Sequence, residues 1–280
     1  MIIFFELVTL FLLGLCIGSF LNVIILRLRS GEQWTQGRSH CMNCKAYLAA
    51  WDLIPLISFI VLRGKCRYCA VKISWQYPLV ELASGILCMS TYLALLGSLY
   101  GDSITMLLLN GTIFPALLLL RNIFFISILL VVFLSDLRWY AIYDSVIILG
   151  SAVAFASNAF MPPFFNPQYI QPVWLNLVVG TMIPAAFFGL QYAVSAGRWI
   201  GSGDILLGAM IGCILGFPQA IIALFIAYCS GALVGIALLL SGKMRRGSEV
   251  PFGTFLSAAT VLMILLGDPI MAFISKTLYL

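Results

Sequence analysis

The chain has 280 residues, of which 62% are hydrophobic and only 9% charged. Soluble domains carry roughly 45–50% apolar and about 25% charged residues, so a water-soluble globule is excluded. Disorder is excluded too, because it requires low hydrophobicity and high net charge, whereas here apolar runs of near bilayer length recur and the net charge is only +5.

The first apolar run, 2–26, is broken only by Glu6 and ends in Arg27 and Arg29. It predicts a retained transmembrane helix with its C-terminal end in the cytoplasm rather than a cleaved signal peptide. Residues 27–78 hold eight of the 15 basic and two of the 10 acidic residues, and so predict a solvated cytoplasmic domain. The remainder is near neutral, which gives no reason to expect a nucleic-acid partner. A second helix is expected from 81 to about 99, with Gly101 and Asp102 at its outer end.

Residues 103–135 are too many for one crossing and barely enough for two. Loop parity favours a non-spanning segment near 103–114, then a helix from Pro115 with Arg121 at the outer headgroups. Further helices are expected at 145–161, 174–196, 205–217, 219–241 and 252–274, separated at Pro162-Pro163, at 198–204, at Pro218 and at 243–246. The pattern predicts an all-α polytopic membrane protein of about eight transmembrane helices. Thirteen basic residues would face the cytoplasm and two, Arg121 and Lys276, would face outward.

Four of the eight cysteines read Cys41-Met42-Asn43-Cys44 and Cys66-Arg67-Tyr68-Cys69, with 21 residues between the pairs. Two facing CxxC knuckles match the four-thiolate cage of structural zinc, and in a reducing cytoplasmic loop metal is favoured over disulfides. Redox dithiols are the competing reading. A closed cage leaves no open position for substrate, so zinc here would be structural. Cys16, Cys88, Cys213 and Cys229 lie in apolar runs and are expected in the core. His40, beside the first knuckle, is expected to be a solvated loop residue.

Asp136 closes the uncharged run 122–135, and Asp204 follows Gly201-Ser202-Gly203. Carboxylates at the edge of the hydrocarbon are costly and are therefore functional candidates. Two aspartates from different helices can share one proton, one acting as general base on water and the other as acid toward a peptide. Gly201 and Gly203 leave room beside Asp204 for a backbone to approach. The alternative is that both are helix-end residues, with Asp204 an N-cap. Asp144, eight residues after Asp136, heads the next helix, where capping and catalytic support are both open. Glu81 is expected to pair with a basic loop residue.

These residues resemble the bacterial type IV prepilin peptidases, GxGD-type intramembrane aspartic endopeptidases that are often also N-methyltransferases. The likeness covers nearly the whole chain. It runs through Gly18-Ser19-Phe20-Leu21-Asn22-Val23, both CxxC pairs, Asp52-Leu53-Ile54-Pro55-Leu56, Arg63-Gly64-Lys65-Cys66 and Tyr77-Pro78-Leu79-Val80-Glu81. It continues through Asp136 with Asp144, Gly201-Ser202-Gly203-Asp204 and Pro251-Phe252-Gly253. Three features depart from the family pattern: Tyr143 stands in place of a proline, Met42 stands in place of another, and the spacer before Asp136 is long, which suggests an outer insertion over 101–120.

The resemblance implies that Asp136 and Asp204 are the catalytic pair, supported by Gly201, Gly203 and Asp144. It further implies that Cys41, Cys44, Cys66 and Cys69 bind zinc and that Gly64 serves methyl transfer. The expected order is a first transmembrane helix over 1–26, a cytoplasmic four-cysteine zinc domain over 27–78 and an intramembrane aspartic protease domain over 79–280. The expected location is the bacterial inner membrane, with the active site facing the cytoplasm. The implied activity is removal of a basic leader from type IV prepilins or pseudopilins after a glycine, followed by N-methylation with S-adenosylmethionine. A protease lacking methyl transfer and an ion-coupled transporter using the two aspartates remain as alternatives; no GxGxxG nucleotide fingerprint follows a strand.

Overall fold

A computed structural model describes residues 2–33, 37–97, 113–160, 173–242 and 250–278. Among them are nine α-helices and no strand, only two isolated β-bridges. Contacts divide the chain into two units, 1–123 and 124–280.

In the first unit, α1 (Ile2–Ser30) and α3 (Gln76–Leu95) pack along much of their length, and a short 3-10 turn (Ala50–Leu53) and α2 (Ile57–Val61) lie between them in sequence. At 29 residues α1 is about 44 Å long, enough to cross a bilayer and project beyond it. Small residues set the contact. A Cβ on Gly14 would fall 2.7 Å from Gly85 Cα, and one on Gly18 2.7 Å from Glu81 Cα, so neither position tolerates a side chain. Where helices meet in lipid, with little hydrophobic gain between them, such close backbone approach is what holds them together. Polar groups then fix the register. The Asn22 amide donates to the carbonyls of Gly18 and Tyr77, Gln76 donates to Asn22, and the Tyr92 hydroxyl donates to the otherwise costly Glu6 carboxylate. Helix α3 starts at Gln76, five residues before the expected 81, because Pro78 falls in its first turn, where no amide hydrogen is needed.

The second unit takes α4 (Phe114–Trp139) from Phe124 onward, then α5 (Asp144–Phe160), α6 (Val173–Ser195), α7 (Ser202–Leu215), α8 (Gln219–Leu240) and α9 (Phe252–Leu278). Its centre is α7, whose Leu207, Met210 and Ile211 are fully buried and which touches α5, α6, α8 and α9. Glycines again allow the fit, Gly212 lying on the backbone of Gly180 and Gly208 on the Phe188 ring. Asn158 donates to the Cys213 carbonyl, and Asn176 bonds both the amide and the carbonyl of Phe217, satisfying backbone groups at the end of α7.

Six of the helices are long and apolar enough to cross a membrane: α1, α3, α4, α6, α8 and α9. Helices α5 and α7 stand close to the expected 145–161 and 205–217 but are shorter than these six. At 14 residues α7 is about 21 Å long, less than the hydrocarbon thickness, and it is surrounded by protein rather than lipid. Of the expected non-spanning segment 103–114 and outer insertion 101–120, residues up to 112 lie outside the described residues, as do the break at Pro162-Pro163 and the basic loop 243–246, whereas 114–120 form the first turns of α4.

Candidate functional site

Among the described residues, two places gather chemistry-bearing side chains. In the second unit a cleft of about 480 Å³ is lined by Asp136, Asp204, Tyr140, Arg198 and the 199–203 turn, with Val250, Pro251 and Phe252 on another side. Asp136 is 5% exposed and Asp204 8%, so both carboxylates are nearly withdrawn from solvent yet open to this one hollow.

Each carboxylate sits at a helix N-terminus, where first-turn amides have no partner within their own helix and the backbone dipole favours negative charge. Asp136, in the last turn of α4, accepts from the Thr254 amide at 2.7 Å, from the Thr254 hydroxyl at 3.2 Å and from the Gly253 amide, all in the first turn of α9. Asp204 stands in the first turn of its own helix, and its Oδ2 accepts the Gly201 amide at 3.1 Å. The N-cap of α7 is therefore Gly201, with Asp204 three residues inside the helix.

The glycines around the pair have specific neighbours. A Cβ on Gly253 would lie 3.0 Å from Asp136 Oδ2, and one on Gly203 would lie 3.1 Å from Ile142, which lines the cleft. Asp144 is the first residue of α5 and is not among those lining the cleft. Thr254 went unrecognised in the sequence; its only signal was its place directly after Pro251-Phe252-Gly253.

In the first unit the four expected cysteines converge, their sulfurs all lying within 4.8 Å of one another. Tetrahedral zinc with Zn–S bonds of about 2.3 Å requires S–S distances of about 3.8 Å. Cys41 and Cys69 already stand at 3.9 Å. The two knuckles are near copies. The Cys41 amide bonds the Ala46 carbonyl as the Cys66 amide bonds that of Val71, and the Lys45 and Ala70 amides return to the Cys41 and Cys66 carbonyls. Lys45 and Ala70 both have positive φ, and the bridges His40–Tyr47 and Lys65–Lys72 close the two loops at matching positions. His40 is not part of the cluster. The Val71 backbone amide, outweighing burial and aided by Asn43, pulls the Cys69 thiol down to about 6. The Ala46 backbone amide pulls Cys44 the same way, but burial and the neighbouring Cys69 and Cys41 sulfurs outweigh it and push that thiol up to about 11. Four crowded sulfurs therefore do not all ionise without a cation among them. The donor set fits zinc.

Beside the knuckles lies a cavity of about 440 Å³. Phe59, Leu62, Ile73, Tyr77 and Glu81 are among its walls. Glu81 does not pair with a basic loop residue as expected, but accepts the Leu56 amide at 2.8 Å and the Ser19 hydroxyl. Asp52 takes the nearby cation instead, accepting Arg67 Nε at 2.6 Å together with the Tyr68 hydroxyl and the Ala49 amide.

Comparison with known proteins gives a consistent picture. The bacterial peptidase A24 N-terminal domain profile matches residues 12–95, and the type IV leader peptidase family profile matches 123–236. A Bacillus subtilis prepilin leader peptidase/N-methyltransferase is 30% identical over 95% of this chain and 97% of its own length. Its Stutzerimonas stutzeri counterpart is 31% identical over 93% and 90%. That from Myxococcus xanthus is 33% identical over 84% of this chain and 63% of its own. No solved structure matches. With both domain profiles in order along the chain and relatives aligned over nearly its full length, this chain belongs to the type IV leader peptidase family.

Proposed function

We propose that Asp136 and Asp204 are the catalytic pair of an aspartic endopeptidase and that the four cysteines hold a structural zinc. The chain is an enzyme of the prepilin leader peptidase/N-methyltransferase type, with prepilins as substrates, and a multi-pass protein of the inner membrane. Its family also favours this reading over an ion-coupled transporter. The observation that carries the catalytic assignment is the pair of buried carboxylates opening onto one cleft, each held by amides at a helix N-terminus.

In the proposed reaction one proton is shared between the two carboxyl groups. The ionised aspartate takes a proton from water, whose oxygen bonds to the peptide carbonyl carbon. The protonated aspartate gives its proton to the departing amine nitrogen as the C–N bond breaks. The Gly253 and Thr254 donors keep Asp136 from turning, so the geometry is set before substrate arrives. A prepilin with its basic leader in the cytoplasm and its apolar helix in the bilayer would offer the bond after glycine at the membrane boundary. Pseudopilins have the same layout and are proposed as substrates as well.

Zinc held by Cys41, Cys44, Cys66 and Cys69 would tie the two knuckles together and take no part in bond cleavage. For methyl transfer, bound S-adenosylmethionine would supply an electrophilic methyl carbon on a positively charged sulfur to the new N-terminal amine. Replacing either aspartate, as Asp136→Asn or Asp204→Asn, is expected to abolish cleavage of a prepilin while leaving the protein inserted. Cleavage retained by either variant would remove the aspartic mechanism. Mass spectrometry of the mature substrate's N-terminus, with and without S-adenosylmethionine, tests the cleavage site and methylation together.

A further inference from the structure

We propose that the cavity beside the zinc knuckles is the binding site of the sulfonium methyl donor, and that the Glu81 carboxylate is the counter-charge for the donor's positive end. The inference rests on the reading that the chain transfers a methyl group.

Glu81 carries the argument. Its side chain lines the cavity at 7% exposure and is held by two neutral donors, the Leu56 amide and the Ser19 hydroxyl. Among the described residues no cation pairs with it, the ion pair there being Asp52 with Arg67. Of the other basic residues on the wall, Arg27 donates to the carbonyls of Gln33 and Gly37, and Lys72 is exposed. A buried, uncompensated carboxylate is costly to keep unless a positive ligand completes it. The two donors also aim it, since Gly18 brings α1 against the backbone of Glu81 and so places Ser19 beside that carboxylate.

The rest of the cavity suits the same ligand. A volume of about 440 Å³ lies within the range of small-molecule sites, and mainly apolar walls with a few convergent polar groups are their usual chemistry. Phe59 and Tyr77 offer aromatic faces to an adenine ring and to a sulfonium. The Phe59 ring is braced by Trp75, with centroids 5.1 Å apart.

This arrangement gives Gly64 a physical role. It has φ +67°, and a Cβ there would lie 3.1 Å from the Phe59 ring, so any side chain would strain the turn and crowd this wall residue of the cavity. A glycine matched to methyl transfer through the family likeness therefore shapes the wall of this hollow and need not touch the reacting atoms.

The test uses the full chain in lipid nanodiscs, titrated calorimetrically with S-adenosylmethionine and separately with S-adenosylhomocysteine, which keeps the adenosyl group but lacks the sulfonium charge. The wild-type chain is expected to prefer S-adenosylmethionine. Glu81→Gln is expected to weaken S-adenosylmethionine about tenfold or more and to erase the preference, because a desolvated charge pair has been removed. Prepilin cleavage and zinc content should remain. Leu62→Trp, which fills the cavity and leaves the charge, should weaken both ligands alike. A Glu81→Gln protein that keeps the wild-type preference, or a Leu62→Trp protein that binds both ligands normally, overturns the proposal. A wild-type chain that cleaves prepilin yet binds neither ligand overturns the methyl-transfer reading and the site with it.

Discussion

Thr254 donates both its amide and its hydroxyl to a single oxygen, Oδ2 of Asp136, across 118 residues of sequence. The two bonds differ in kind. The amide belongs to the first turn of α9 and cannot be removed by changing the side chain, whereas the hydroxyl can. Thr254→Val should therefore leave Asp136 in place with one donor fewer, and should slow prepilin cleavage by a few-fold to about tenfold, the worth of one hydrogen bond of about 1 kcal/mol. The rate constant for leader removal at saturating substrate is the measurement. A loss as complete as that expected for Asp136→Asn would mean that the hydroxyl acts directly in the chemistry.

Gly253 offers a second test of the same geometry. A methyl group there would lie 3.0 Å from Asp136 Oδ2, 3.2 Å from its Cγ and 3.2 Å from Ile142, so the carboxylate or the start of α9 must move. Displacements of about 1 Å at reacting groups cost roughly a hundredfold in rate, and the contacts here require a shift of only a few tenths of an ångström, so the expected loss is about tenfold. Gly253→Ala should lose cleavage on that scale while its zinc content and membrane insertion stay normal. Wild-type cleavage by this variant would show that the Asp136 position is not critical.

Much of this was legible in the sequence because the signals are local. Apolar runs flanked by charge gave the helices, Cys–x–x–Cys spacing gave the knuckles, and Gly201-Ser202-Gly203 flagged Asp204. What escaped depends on which helices meet. Nothing near Glu81 indicates that its partners are Ser19 on α1 and an amide of α2's lead-in, and nothing near Asp136 points to Thr254. Helix α3 begins at Gln76 rather than at the expected 81, and Pro78 is accommodated because it falls in the first turn. The close approach of α1 and α3 at Gly14, Gly18 and Gly85 likewise has meaning only once the pairing is known.

The duplicated knuckles predict one zinc per chain. Elemental analysis of the purified protein should give a single equivalent, and Cys41→Ser or Cys66→Ser should lower it together with the protease resistance of residues 37–75. The amide bonds of each loop close over the sulfurs in the same pattern, so loss from either knuckle should have a comparable effect. Full metal content with three cysteines would contradict the four-thiolate cage.

Asp52 gives a pH-resolved prediction. Burial pushes its carboxyl up, but the Arg67 guanidinium, the Ala49 amide and the Tyr68 hydroxyl outweigh that and hold it below the usual carboxylate range. Since the folded value is depressed, the stabilisation is fully present above the unfolded value of about 3.9 and is lost only as pH falls below it. Arg67 is half exposed, so solvent screens the ion pair, and the effect comes mainly from the hydrogen bonds to a nearly enclosed carboxylate. Asp52→Asn should lower the stability of the knuckle unit by about 1–3 kcal/mol. The difference from wild type should stay constant between pH 8 and about 5, where the carboxylate is ionised in both states. Denaturant titrations of the zinc-loaded protein across that range read it directly, and a difference that already shrinks between pH 7 and 5 would mean that the Asp52 carboxyl is not held below its ordinary value.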